Sequence, residues 1–161
     1  MTMPDSAEGK AHPGAIHCWL PGDAFAVRAT LAQLLPRLAE LIPCEDDLGA
    51  AEIVLAEVLN NIVEHAYRGR RGDIEVDLTI TPEGVRFVVT DSGDPFPDRR
   101  LPSGRLVAGR LTDSLPEGGF GWHLIRNLSR ELHYERNRGQ NRLSFLLPAD
   151  QSRKRGEIGR S

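Results

Sequence analysis

Residues 73–91 read D-I-E-V-D-L-T-I-T-P-E-G-V-R-F-V-V-T-D, and this stretch constrains the fold more than any other in the chain. Apolar residues alternate with Asp, Glu and Thr over D-I-E-V-D-L-T-I-T, the period of a strand that buries one face. T-P-E-G is a turn and V-R-F-V-V-T-D a second strand, so the two make a hairpin. A sheet with one apolar face needs a layer over it.

The segments before the hairpin supply that layer. I-H-C-W-L alternates as a short strand ended by Pro21-Gly22. Asp23 is placed to cap a helix through F-A-V-R-A-T-L-A-Q-L-L-P-R-L-A-E-L, and Pro36 inside that pattern predicts a kink or an early stop. Pro43 breaks the segment. C-E-D-D-L then opens a second helix with acid in its first turn, where the helix dipole favours it. That helix is predicted to run to about Tyr67, with the Arg/Gly cluster 68–72 as its exit.

After the hairpin, Ser92 to Gly118 turns to Gly, Pro, Asp and Arg with weak periodicity. A loop of about 25 residues inside a compact domain is unusual, and such loops tend to be lids or binding segments. Helical spacing returns from Gly121 to Arg130 through Trp122, Ile125 and Leu128. E-L-H-Y-E-R-N, the turn R-G-Q-N and R-L-S-F-L-L-P close the chain as a second hairpin. The order β-α-α-β-β-lid-α-β-β implies an α+β fold: a two-layer sandwich, its mixed and mostly antiparallel sheet covered on one face by helices.

A length of 161 residues suits one domain, expected over residues 15–148. Residues 1–14 are expected to be a disordered leader, and 149–161, with S-R-K-R-G, a flexible basic tail. No run of about 18 apolar residues exists, which excludes a membrane-spanning helix. The net charge of −3 creates no global field for nucleic acid. Cys18 and Cys44 have no His or Cys at metal spacing and are expected to be reduced thiols. M-T-M-P-D-S-A-E-G-K lacks the layout of a secretory signal, so a cytoplasmic location is expected.

Chemistry gathers on the second helix, at E-V-L-N-N-I-V-E-H-A-Y. At about 100° per residue, Glu57, Asn60, Asn61 and Glu64 fall within roughly a third of its circumference. A half-exposed helix accounts for that pattern as well. The residue types argue for more, because a solvated face is normally filled with Lys, Glu, Arg and Gln rather than with the poor helix former Asn. Asn61 lies one turn after Glu57, so amide and carboxylate can enter one cavity. A neutral oxygen ligand suits Mg²⁺, and a carboxylate beside it could orient a water or hydroxyl for attack on phosphorus.

Two glycine signals follow. Asp91 ends a strand at D-S-G-D-P-F, where a carboxylate next to Gly93 could accept a hydrogen bond from the amino group of adenine; D-x-G is also a common turn. In G-G-F-G-W-H-L-I, from Gly118 to Ile125, glycines before a helix leave N–H groups free for a phosphate, or simply make a hinge. Neither is a P-loop or a dinucleotide fingerprint.

Taken in order, E-x-x-x-N-x-x-x-H-A-Y, D-x-G-x-P-F and G-G-x-G-x-x-L-I resemble the N, G1 and G2 boxes of the GHKL (Bergerat-fold) ATPase and kinase superfamily. The single-domain format, the H-A-Y ending and the N-R-L-S-F-L-L-P strand are most similar to the bacterial anti-sigma-factor serine kinases. The resemblance runs from about Pro21 to Pro148. It implies an enzyme using ATP and Mg²⁺, with Glu57 as general base, Asn61 as Mg²⁺ ligand and Asp91 reading adenine beside Gly93. Gly119 and Gly121 would border the triphosphate beneath a lid at 98–117. His65, Phe96, Gly118, Phe120 and Trp122 stand in or beside the boxes and join the implied nucleotide-binding set, His65 not being a phospho-acceptor. Arg105 and Arg110 are the lid arginines suited to the γ-phosphate.

The branch phosphorylates a STAS-domain anti-anti-sigma factor on serine, sequesters a sigma factor by partner switching and commonly forms homodimers. The resemblance implies those partners and no direct nucleic-acid or membrane partner. Asn60 stands where the branch commonly has threonine, and Trp122 where leucine is usual, serving core packing or a lid contact. A module that binds ATP and works by sequestration without turnover is the rival reading, ahead of a free ATPase.

Overall fold

The strands are β1 (Ala15–Pro21), β2 (Asp73–Thr81), β3 (Gly84–Asp91), β4 (Arg130–Asn137) and β5 (Gln140–Pro148). They form one sheet in the order β1-β2-β3-β5-β4. All of its pairings are antiparallel, so among the described strands it is antiparallel rather than mixed. The structure, a computed structural model, describes residues 14–105 and 119–150. The expected leader up to residue 13, the lid from 106 with Arg110, Gly118 and the tail from 151 lie outside the described residues.

One face of this sheet is covered, as the alternation requires. Ile74, Val76 and Leu78 on β2 are buried, as are Val85, Phe87 and Val89 on β3 and Leu143, Phe145 and Leu147 on β5. Phe87 and Phe145 are register partners whose rings stack at 5.2 Å. The cover comes from α1 (Ala24–Leu41), α2 (Glu45–Asn61) and α3 (Gly119–Leu128). Their buried residues include Leu34, Leu38, Val54, Leu55, Val58 and Ile125. No helix among the described residues is long and apolar enough to cross a membrane, and both cysteines are free thiols.

Asp23 caps α1 as expected, its Oδ1 accepting from Ala26 N at 2.8 Å. Pro36 does not end the helix, which continues to Leu41. Proline removes one intrahelical bond, but the buried Leu34 and Leu38 anchor the backbone to the core on both sides of it. The second helical segment reaches Tyr67 as expected, with one change of pitch: α2 ends at Asn61 and Ile62–Tyr67 is a π-helical turn. The arginines of the exit cluster then serve the terminal carbonyls. Arg68 Nε donates to His65 O at 3.1 Å, and Arg70 donates to Ala66 O and Tyr67 O at 2.8 and 3.0 Å.

The closing hairpin turns more tightly than R-G-Q-N suggests. Arg138 and Gly139 alone form the turn, both with positive φ of 49° and 80°, the geometry a two-residue hairpin demands. Asn141 therefore belongs to β5, pairing with Asp91 across the sheet.

Candidate active site

The row of cross-strand partners Leu20–Ile74–Asp91–Asn141 starts apolar and ends polar. Asp91 and Asn141 are 5% and 4% exposed, on the face that otherwise builds the core. A buried carboxylate needs donors. Asp91 Oδ1 has two, the Gly93 N–H and Asn141 Nδ2, each at 2.8 Å, while no described residue bonds Oδ2. Burial pushes the Asp91 pKa up, and the bonds from Asn141 and Gly93 and the Arg136 charge oppose the rise.

Asp91 lines a cleft of about 570 Å³, a size that suits a small-molecule ligand. Asn61, His65, Phe96 and Trp122 line it too, bringing five of the expected residues to one cavity. Its aromatic wall is ordered edge to face: Phe96 meets Trp122 at 5.3 Å and Tyr134 at 4.9 Å. Trp122, only 3% exposed, packs in the core and faces the cleft at once. The π-helical turn lies along this wall through Ile62, His65 and Ala66. Tyr67 locks its end: the hydroxyl donates to Asp73 O at 2.5 Å and accepts from Ser92 N at 3.0 Å. The ring fills a slot where a Cβ on Gly22 or Gly72 would collide with it.

Glu57 and Asn61 meet at the start of α3. A Cβ built on Gly121 would overlap Glu57 Oε2, with Glu57 Cδ at 3.2 Å and Asn61 Nδ2 at 3.8 Å. The glycine is thus what lets the two helices bring carboxylate and amide together. Asn61 is 8% exposed, and its Nδ2 is a buried side-chain atom with no hydrogen-bond partner among the described residues. Rotating the amide by 180° puts the oxygen there without changing its shape. A hard cation seeking a neutral oxygen satisfies that position, so the residues present fit Mg²⁺.

Other expected residues fall elsewhere. Gly93 makes its close approach to Ala66, whose C, Cβ and O would each lie 2.7 Å from a Cβ, and it is not part of the cleft lining. Gly119 opens α3 and Gly121 lies in its first turn, so the glycines are inside the helix and not ahead of it. Phe120 is 52% exposed and stacks on His123, outside the cleft. Arg105 is exposed, its backbone N–H donating to Ser103 Oγ at 3.4 Å. Asn60 and Glu64 face solvent, which separates them from Asn61. Asn141 and Tyr134 were not among the expected residues. Their one signal is phase, since Asn141 alternates with the inward Leu143 and Phe145.

An antiparallel sheet with helices on one face, and a ligand-sized cleft between helix and strand ends, define an α+β ligand-binding domain. Comparison with known proteins narrows it. Residues 20–147 match the model of the histidine kinase-like ATPase domain, and the chain belongs to that family. The serine-protein kinase RsbW of Bacillus licheniformis is 31% identical over 98 residues, covering 58% of this chain and 61% of that protein. RsbW of Staphylococcus aureus is 29% identical over 136 residues, covering 81% of this chain and 84% of that one. The crystal structure of the RsbU and RsbW domains of Rv1364c from Mycobacterium tuberculosis has a similar fold. Its TM-score is 0.59 at 21% identity, covering 85% of this chain and 33% of that one.

Proposed function

We infer that this chain is a serine kinase dependent on ATP and Mg²⁺. It phosphorylates a STAS-domain anti-anti-sigma factor and sequesters a sigma factor or an equivalent regulator by partner switching. The observation that carries the reading is the meeting of Glu57 and Asn61 at Gly121, with Asp91 in the same cleft as Asn61. The relatives named as serine-protein kinases point the same way.

Asp91 accepts the amino group of adenine through its unbonded Oδ2, between the cleft's aromatic and π-helical walls. His65 borders the nucleotide, and Arg105 or Arg110 of the 98–117 lid meets its γ-phosphate. Asn61 holds Mg²⁺, which when bound neutralises charge on the phosphate oxygens. Glu57 takes the proton from the serine hydroxyl as that oxygen bonds to the γ-phosphorus and the bond to ADP breaks. The working unit is a cytoplasmic homodimer.

Incubating the protein with γ-labelled ATP and the STAS partner should label serine in that partner. Glu57→Gln should cut transfer by about 10²–10⁴-fold, the usual contribution of general base catalysis. Its affinity for ATP, measured by calorimetry, should stay near wild type. An unlabelled partner with wild-type protein would leave a sequestering module, and full transfer by Glu57→Gln would remove Glu57 from the reaction.

A further inference from the structure

Asn141 uses every part of its side chain. Nδ2 donates to Asp91 Oδ1 at 2.8 Å, to Asp94 O at 3.0 Å and to Gly93 O at 3.3 Å. Oδ1 accepts from Tyr134 Oη and from Arg136 Nη1, both at 2.7 Å. Donors on one side and acceptors on the other allow the amide only one orientation. Arg136 Nη1 donates also to Gly93 O at 2.9 Å, and Tyr134 Oη accepts from Phe96 N at 3.3 Å. The closing hairpin therefore grips four residues of the 91–96 segment, Asp91, Gly93, Asp94 and Phe96, through five hydrogen bonds.

Two consequences follow for Asp91. Its Oδ1 is saturated by Gly93 and Asn141, which fixes the plane of the carboxylate and leaves Oδ2 as the oxygen available to a ligand. The bond from Asn141 is also the foremost influence holding down the pKa that burial raises. Without it the carboxyl would take up a proton at higher pH and become a donor where an acceptor is needed.

We propose that Asn141 is a positioning residue for nucleotide recognition, anchored by Arg136, which holds the plane of the Asp91 carboxylate with its Oδ2 turned toward the amino group of a purine. The proposal rests on the reading that Asp91 accepts from adenine. It gives the chain a specificity device reached only through strand register, 50 residues from the carboxylate it serves.

The test measures binding of ADP, and of the diphosphate of purine riboside lacking the 6-amino group, by calorimetry from pH 5 to pH 8. Asn141→Leu should weaken ADP by about tenfold or more, the effect of losing a hydrogen bond to a charged group. It should also move the low-pH loss of binding to higher pH and shrink the preference for the 6-amino purine. Arg136→Met, which removes the anchor together with the bond to Gly93 O and a charge that itself lowers the Asp91 pKa, should shift affinity and pH limb in the same directions by a smaller factor. Asn141→Ser, which keeps a donor, should recover part of both. An unchanged pH limb and purine preference in Arg136→Met and in any folded Asn141 variant would overturn the proposal while leaving nucleotide binding intact. Failure of the wild-type protein to bind ADP would instead overturn the reading of Asp91 on which it rests.

Discussion

Gly121→Ala should separate activity from stability. Gly121 is buried in the first turn of α3, and its φ lies outside the left-handed region, so the backbone accepts alanine. In a helix that exchange is worth up to about 1 kcal/mol in alanine's favour. Against it stands the new methyl, which would overlap Glu57 Oε2 and crowd Cδ at 3.2 Å, while Asn61 Nδ2 at 3.8 Å is at ordinary contact. The atom struck is the tip of a flexible, half-buried side chain, so the carboxylate swings away and the fold keeps its packing. Overpacking against a rigid neighbour costs about 1–3 kcal/mol, and this neighbour is not rigid. Net stability should stay within about 1 kcal/mol of wild type, or roughly 2–4 °C in Tm for a chain of this size. The displaced carboxylate is another matter. A displacement of about 1 Å in a reacting group costs on the order of 10²-fold in rate. Single-turnover transfer from labelled ATP, beside a thermal melt and an ADP titration, would read the three quantities. Transfer within about threefold of wild type would show that Glu57 does not work from the position Gly121 allows it.

Gly93→Ala should do the reverse. Its Cβ would meet Ala66 C, Cβ and O at 2.7 Å, backbone and a short methyl that cannot rotate aside, so a loss of about 1–3 kcal/mol in chemical denaturation is expected. A loss below about 0.5 kcal/mol would mean that the 91–96 loop slides freely over the π-helical turn. Asp91→Asn should abolish ADP binding yet leave the protein at least as stable at pH 7. The folded-state pKa of Asp91 is raised by burial, so the ionised carboxyl costs stability above that pKa, and the cost fades as pH falls toward the value of an unfolded aspartate. Asparagine keeps an Oδ1 for Gly93 and Asn141, so its advantage should be greatest near neutrality and vanish below about pH 4. Urea midpoints from pH 3 to 8 check this. A variant less stable than wild type at pH 7 would show that the hydrogen bonds to the charge outweigh its burial.

Much of the fold was legible because its signals are local. Alternation fixes which residues of 73–91 face inward, Asp23 marks a helix start by its own side chain, and three short boxes mark the cleft. Missed features depend on contacts between distant segments. Pro36 reads as a kink or an early stop until Leu34 and Leu38 are seen buried on either side of it. A change of pitch at Ile62 has no composition signal; its end is held by Tyr67 between Gly22 and Gly72, from two other segments. Asn60 and Asn61 look equivalent in sequence, yet the step of about 100° between them puts one in solvent and one in the core. Phe120 sits in a glycine box without entering the cleft. Asn141 was hidden in a turn that proved two residues shorter than the composition suggested.

Asp91, inside the cleft, and Glu57, which is not among its lining residues, are placed by different means, and the difference suits different tasks. At Asp91 the partners come from strands, from a loop and from a hydrogen-bonded amide, all mutually saturated, so a flat ligand meets groups that need no reordering. Such preorganisation converts contacts into affinity. At Glu57 the partner is an absence: a glycine leaves room for a side chain that no described hydrogen bond holds. In the proposed reaction the carboxylate can therefore adjust to an incoming hydroxyl, and apo geometry there need not be the reacting one. Affinity should accordingly follow changes at Asp91 and Asn141, and turnover changes at Glu57 and Gly121. Asn61 links the two, lying in the cleft with Asp91 and beside Glu57 at Gly121, its buried amide without a hydrogen-bond partner among the described residues.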